Sequence, residues 1–147
     1  MTPGVPTEAA AVDAQVLPIA SDADVVRVRQ VVRALAVSAK LSLVDQTKLV
    51  TAASELARNT LVYGGGGTAE VDLVTQGVRR GVRATFTDEG PGIPDLELAL
   101  TDGWSSGSGM GLGLSGARRL VDGFDLQTGT GTSTGIGTRV RIVKWAR

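Results

Sequence analysis

The sequence predicts an α/β (α+β) two-layer sandwich, with helices on one face of a mixed, largely antiparallel sheet. Two segments in the first half carry apolar residues at helical spacing, and strand-like segments follow, including one hairpin. The strands and helices do not alternate as repeated βαβ units, so a parallel doubly wound sheet is not expected. A chain of 147 residues with 42% hydrophobic content is long enough to bury one core.

The N-terminal region begins with a stretch that has no regular pattern. Residues 1–15 are rich in Ala, Thr and Pro, and we expect a flexible tail there. A short strand is predicted near Val16–Ala20. Ser21 or Asp22 then caps a helix that ends near Lys40. Its buried stripe is predicted to contain Val25, Val28, Val31, Val32 and Leu35.

A second helix is predicted from Leu43 or Asp45 to Val62, and the glycine run 64–67 ends it. Its core positions are Leu49, Ala53, Leu56 and Thr60. Glu55 and Asn59 are four residues apart on this helix, so their side chains are neighbours beside the core stripe. The pair fits the wall of a cavity, but taken alone this spacing is more typical of a solvated helix face.

The second half reads as a hairpin followed by a glycine-rich region, a helix and two strands. Val71–Thr75 and Val82–Thr87 are the hairpin strands, joined by a turn over Gln76–Gly81. The later helix is expected to end near Val121, and a strand follows at Phe124–Thr128. The last strand places Ile136, Thr138, Val140 and Ile142 on one face.

Composition excludes several classes of function. The chain has no cysteine and no histidine, which removes disulfides, thiolate nucleophiles, Cys/His metal sites and histidine-based catalysis. Fifteen basic and fifteen acidic residues balance, so neither nucleic acid nor a membrane surface is an expected partner. A metal would need oxygen ligands, which favours Mg²⁺ accompanying phosphates. Without a signal peptide or a transmembrane run, the expected location is the cytoplasm.

The glycine-rich region has the features of a phosphate site. Gly109, Gly111 and Gly113 lead into a helical pattern, so their N–H groups are predicted to face an anion with little side-chain cover. Gly111, Gly113 and Gly116 have the spacing of a dinucleotide fingerprint, but this interpretation is excluded because no hydrophobic strand precedes them. A P-loop is excluded because Ala117 and Arg118 occupy the positions that require Lys and Ser or Thr.

Four separated motifs then occur in the order of one superfamily. They are Glu55–Asn59 (ELARN), Asp88–Gly92 (DEGPG), Gly107–Gly113 (GSGMGLG) and Gly137–Thr138. The chain resembles the ATP-binding superfamily of gyrase, MutL and histidine kinases, called GHKL. The resemblance implies a Bergerat-type ATPase fold and a single ATP-binding kinase domain over residues 16–147.

Within this superfamily, the residues of these motifs resemble those of the RsbT-type switch-protein serine/threonine kinases. These kinases are relatives of the anti-sigma regulatory factors. This resemblance implies an ATP- and Mg²⁺-dependent kinase that phosphorylates a STAS-domain protein of a stressosome-type complex. It also implies a partner-switching regulator that activates a PP2C-type phosphatase in bacterial stress signalling. Two alternatives remain open: an anti-sigma factor kinase that binds a sigma factor, and a nucleotide-stabilised binding module without catalysis.

The resemblance also assigns roles to individual residues. Glu55 corresponds to the catalytic base, Asn59 to the Mg²⁺ ligand, and Asp88 to the acceptor of the adenine amino group, with Thr138 in support. The full set expected to contact nucleotide is Asn59, Asp88, Gly90, Gly92, Gly107, Gly109, Gly111, Leu112, Gly113 and Thr138.

One departure concerns charge. No Lys or Arg lies between Arg83 and Arg118, whereas the related anti-sigma kinases commonly carry a basic residue near the γ-phosphate. Charge stabilisation is therefore expected from Mg²⁺, backbone dipoles, Arg58, Arg118 or a partner residue.

Overall fold

Serine caps set the start of the two long helices in the computed structural model of this chain, which describes residues 3–5, 10–90, 113–129 and 137–147. Helix α1 spans Asp22–Ser38, and the Ser21 hydroxyl accepts the N–H of the third residue of the helix. Helix α2 spans Leu43–Val62, and Ser42 caps it in the same way. Both helices lie where their apolar spacing predicts.

The sheet has five strands in the part of the chain that the structure describes. In chain order they are β1 (Ala10–Ile19), β2 (Gly67–Gln76), β3 (Arg79–Asp88), β4 (Gly123–Thr128) and β5 (Thr138–Trp145). Their order across the sheet is β1-β2-β3-β5-β4, and every neighbouring pair is antiparallel. The predicted α+β sandwich is confirmed, and its sheet is antiparallel throughout these strands instead of mixed.

A third, short helix completes the described architecture. Helix α3 spans Gly113–Arg119 and ends two residues before the predicted Val121. Arg118 and Arg119 lie in its last turn, where positive charge is favourable beside the free carbonyl groups. Among the residues with described positions, no helix is long and apolar enough to cross a membrane.

Strand β1 begins at Ala10, six residues before the predicted start at Val16, so residues 10–15 belong to the sheet instead of a tail. The pairing with β2 shifts register between Val12 and Gln15, and Asp13 has a positive φ of 53°. This irregularity breaks the alternation of side chains that predicts strands from sequence. The strand depends on its partner β2 more than on its own residues.

Helices α1 and α2 cover one face of the sheet and bury the main core. Val28 and Val32 of α1 and Leu49 and Leu56 of α2 are at most 1% exposed. They pack in one cluster with strand residues that include Val71, Val82, Ala84, Phe86 and Ile142. Burying each large aliphatic side chain contributes about 1.5–3 kcal/mol relative to leaving it in water.

The opposite face carries a smaller cluster that includes the start of the chain. Val5 is buried with Val74, Val143 and Trp145. Its N–H donates to the Asp125 carboxylate at 2.8 Å, and the Pro3 carbonyl accepts the N–H of Phe124 at 2.8 Å. Residues 3–5 are therefore fixed along the edge strand β4.

A buried cation joins the end of β5 to α2. The Lys144 side chain is 6% exposed, and its Nζ lies 3.6 Å from carboxylate oxygens of both Asp45 and Asp122. Asp122 also accepts the N–H of Trp145 at 2.8 Å and pairs with the exposed Arg147. This network holds the C-terminal strand against the start of α2.

Candidate functional site

Asp88 is the last residue of β3, and backbone donors fix its carboxylate. Its Oδ1 accepts the N–H of Gly90 at 2.9 Å, and the backbone N–H of Thr138 also hydrogen-bonds to it. Thr138 lies directly opposite Asp88 in the β3–β5 pairing. Burial raises the pKa of Asp88 above its ordinary 3.8, and the two N–H donors act in the opposite direction.

The backbone around Asp88 leaves no space for additional side chains. Gly137 has φ +79°, and a β-carbon there would overlap the carbonyl oxygen of Asp88. A β-carbon on Gly90 would lie 2.8 Å from the Cα of Gly64. Gly64 was predicted only to end a helix, so its position against the Asp88 side chain is a feature that sequence reasoning missed.

Thr138 supports Asp88 through its backbone. Its hydroxyl lies 3.4 Å from the hydroxyl of Thr128, on the neighbouring strand β4. Thr138 was predicted to support Asp88, and the two residues are opposite each other in the β3–β5 register.

Glu55 is joined to the start of α3. Its Oε1 accepts the N–H of Gly113 at 3.1 Å, although the two residues are 58 positions apart. Gly113 was predicted to offer this N–H to a phosphate, but here the donor is directed at the Glu55 carboxylate. A carboxylate is an effective acceptor because the first N–H groups of a helix have no partner within it. Among the described residues, no hydrogen bond is made to the second oxygen, Oε2.

Asn59 lies one turn further along α2, on the side of Glu55. Its backbone carbonyl accepts the N–H groups of Tyr63 and Gly64 at 2.9 and 3.2 Å, which ends the helix. Its half-buried side chain has no hydrogen bond to any described residue. An amide oxygen is a ligand type that Mg²⁺ accepts, so Asn59 fits a metal carried in by phosphates.

No three acidic residues form a metal cluster within the described ranges. A dedicated all-protein metal cage is therefore not formed by these residues. A single amide ligand suits Mg²⁺, which usually retains water and substrate phosphates as its other ligands.

The remaining predicted contacts belong to segments for which the structure gives no description. Gly92, Gly107, Gly109, Gly111 and Leu112 lie outside the described residues. Arg58 is exposed and Arg118 partly exposed. The described part of the site therefore has two parts: Asp88 with Gly90 and Thr138, and Glu55 with Gly113. Asn59 lies on the same helix as Glu55.

Comparisons with known proteins agree with this arrangement. Residues 44–146 match the family described as histidine kinase-, DNA gyrase B-, and HSP90-like ATPase. The chain is 38% identical over 129 residues to a protein of Bacillus subtilis (strain 168) named serine/threonine-protein kinase RsbT. That match covers 88% of this chain and 94% of the relative.

A solved structure shares the fold. It contains the RsbU and RsbW domains of Rv1364c from Mycobacterium tuberculosis, with a TM-score of 0.61 and 20% sequence identity. The match covers 92% of this chain but 33% of that longer chain, so this protein spans about a third of its length. At this identity the likeness shows the fold alone.

Proposed function

This chain belongs to the family of histidine kinase-, DNA gyrase B- and HSP90-like ATPases and is a serine/threonine-protein kinase, and we propose that it transfers the γ-phosphate of ATP to a STAS-domain protein. We further propose that it is a partner-switching regulator that activates a PP2C-type phosphatase in bacterial stress signalling. The similarity to RsbT over most of both chains supports this proposal.

The observation that carries nucleotide recognition is the fixed carboxylate of Asp88. Two backbone N–H groups orient it at the end of β3, and glycines surround it. An ionised carboxylate accepts hydrogen bonds and cannot donate them, so it selects a ring that presents an amino group. Adenine presents that group, whereas guanine presents a carbonyl at the same position.

Glu55 is the proposed catalytic base. Gly113 holds one of its oxygens, which leaves the other to orient the hydroxyl of the substrate Ser or Thr. The hydroxyl oxygen forms a bond to the γ-phosphorus, its proton passes to Glu55, and ADP leaves. Phosphoryl transfer requires positioning and charge stabilisation more than covalent chemistry from the protein. Glu55 would position the hydroxyl, and charge stabilisation would come from other groups.

Asn59 is the proposed magnesium ligand. Mg²⁺ bound with ATP would neutralise charge on the phosphates, which matters because no Lys or Arg lies between residues 83 and 118. Gly109 and Gly111 are the proposed phosphate donors, together with the rest of the second glycine motif. Arg58, Arg118 or a partner residue would supply any further positive charge.

The proposed partners are proteins, and the proposed location is the cytoplasm. The equal numbers of acidic and basic residues give no electrostatic reason to expect nucleic acid or an anionic membrane. Recognition of a STAS domain and of a phosphatase would then depend on shaped surfaces near the site.

The test is transfer of label from ATP to another protein. The purified chain is incubated with Mg²⁺, γ-labelled ATP and a purified STAS-domain protein from the same organism. We expect label on the STAS protein with wild type and with Thr51→Ala, an exposed position on α2. Asn59→Ala should remove it. Nucleotide binding without any transfer would favour the binding module, and capture of a sigma factor would favour the anti-sigma kinase.

A further inference from the structure

The four glycines 64–67 connect α2 to β2 and begin that strand, and they are constrained in three different ways. Gly65 and Gly66 have positive φ angles of 75° and 101°, which form the turn. A β-carbon on Gly67 would overlap the carbonyl oxygen of Thr87 in the neighbouring strand. Gly64 does not have a positive φ, so its backbone conformation does not require glycine.

The constraint on Gly64 is the side chain of Asp88. A β-carbon at position 64 would meet the Cγ of Asp88 and would lie 2.5 Å from its Oδ2 and 2.6 Å from its Cβ. Real β-carbons essentially never approach heavy atoms this closely, so one of the two groups would have to move. The three nearest atoms all belong to Asp88.

The backbone of Gly64 has little freedom to yield. Its N–H donates to the carbonyl of Asn59 at 3.2 Å, which ties it to the end of α2. On its other side, Gly64 packs so closely against Gly90 that a β-carbon on Gly90 would lie only 2.8–3.1 Å from backbone atoms of Gly64. A methyl group at position 64 would therefore displace the Asp88 carboxylate.

We propose that Gly64 is a positioning residue for nucleotide selection: its missing side chain sets where the Asp88 carboxylate lies relative to Asn59 and the end of α2. This inference rests on the proposed function, in which Asp88 recognises adenine. In this proposal Gly64 has no side chain with which to bind base or metal. It acts by leaving the space that Asp88 occupies, and by joining the backbone of Asn59 to the wall of the adenine site.

The first experiment compares the affinities of wild type and Gly64→Ala for ATP and for inosine triphosphate, which has a carbonyl in place of the adenine amino group. We expect Gly64→Ala to weaken ATP binding about tenfold, the scale of a lost hydrogen bond to a charged group. Binding of inosine triphosphate should change little, so the ratio of the affinities for ATP and inosine triphosphate should fall. Gly65→Asn is the control, because a β-carbon there meets no atom within 4 Å and Asn tolerates a positive φ.

The second experiment needs no nucleotide. Thermal unfolding of Gly64→Ala is measured in the wild-type background and in Asp88→Gly, which removes the side chain that the methyl group would meet. We expect a lower Tm in the first background and almost no change in the second, a coupling that a double-mutant cycle isolates. If Gly64→Ala alone fails to fold, the double variant should fold.

The possible outcomes distinguish a failure of the proposed role of Gly64 from a failure of the proposed role of Asp88. Unchanged discrimination in Gly64→Ala, or equal destabilisation in both backgrounds, would overturn the role of Gly64 while leaving Asp88 as the adenine acceptor. A wild-type protein that does not distinguish ATP from inosine triphosphate would refute the role of Asp88, and this inference with it. That result is visible before any substitution is made.

Discussion

The Oε1 of Glu55 accepts the backbone N–H of Gly113 at 3.1 Å, so the proposed catalytic base also caps helix α3. The contact joins the middle of α2 to the end of the second glycine motif. Glu55 therefore combines a structural task with its proposed chemical one, and substitutions can separate the two.

Glu55→Gln should remove catalysis and keep the cap, whereas Glu55→Ala should remove both. Glutamine retains a side-chain oxygen for the Gly113 N–H but cannot take a proton. Phosphate transfer should fall by about 100-fold or more in both variants. Only the Ala variant should lose about 1 kcal/mol of stability, or roughly 2–4 °C in Tm. Labelled transfer and thermal unfolding measure the two effects, and near-normal transfer by Glu55→Gln would remove Glu55 as the base.

The raised pKa of Asp88 predicts a pH-dependent effect of Asp88→Asn on stability. Because burial raises the pKa above 3.8 in the folded state, the folded protein binds this proton more tightly than the unfolded chain. The contribution of Asp88 to stability is therefore largest below 3.8 and declines as pH rises through the folded pKa. Asn does not titrate.

Urea unfolding from below pH 3.8 to neutral should thus show Asp88→Asn gaining stability relative to wild type as pH rises, then levelling off. The same variant should lose selectivity for adenine. The opposite trend would mean that the N–H donors of Gly90 and Thr138 outweigh desolvation.

Lys144 and Arg147 share carboxylate partners but differ in burial, which makes them a matched pair. Lys144→Ala leaves Asp45 and Asp122 without their buried cation, and we expect a loss of about 3 kcal/mol. The Arg147 side chain is 64% exposed, so Arg147→Ala should cost about 1 kcal/mol or less. Urea unfolding compares them, and equal losses would show that the Lys144 contacts are not those of a buried ion pair.

Removal of magnesium should weaken stabilisation by ATP in wild type but not in Asn59→Ala. A ligand at 100 times its Kd stabilises a protein by about 2.7 kcal/mol, and EDTA should reduce the ATP-induced rise in Tm if Asn59 holds the metal. In Asn59→Ala the rise should be smaller and insensitive to EDTA. Thr51→Ala should match wild type; an EDTA response retained by Asn59→Ala would place the metal on other residues.

Most of the helical structure follows from local chemistry that the sequence displays. Ser21 and Ser42 precede regular apolar repeats, and glycines follow Val62, so the ends of α1 and α2 were predicted within a few residues. Strand β1 could not be located in the same way, because Asp13 has a positive φ and the pairing contains a bulge. Its formation depends on β2, which is remote in sequence.

The candidate site likewise combines residues that local sequence predicts with contacts that it does not. Motif spacing predicted Glu55, Asn59 and Asp88 as site residues, because each lies at a recognisable position in a helix or at a strand end. It did not reveal that Glu55 binds the Gly113 N–H or that Gly64 packs against Asp88. Those relationships arise when segments 24 to 58 residues apart meet, and no local pattern encodes them.

The placement of residues 3–5 along β4 bears on how molecules of this protein behave toward one another. An outer strand of a sheet presents unpaired N–H and C=O groups that can recruit a strand from a second molecule. Pro3 already accepts the N–H of Phe124, and Val5 is anchored by Asp125. At the other border, a register shift between Val12 and Gln15 interrupts the regular pairing of β1, and Pro18 has no backbone N–H to offer. Residues 3–5 thus cover part of the outer edge of β4, and a fusion tag that displaced them would expose its unpaired backbone groups to a second molecule.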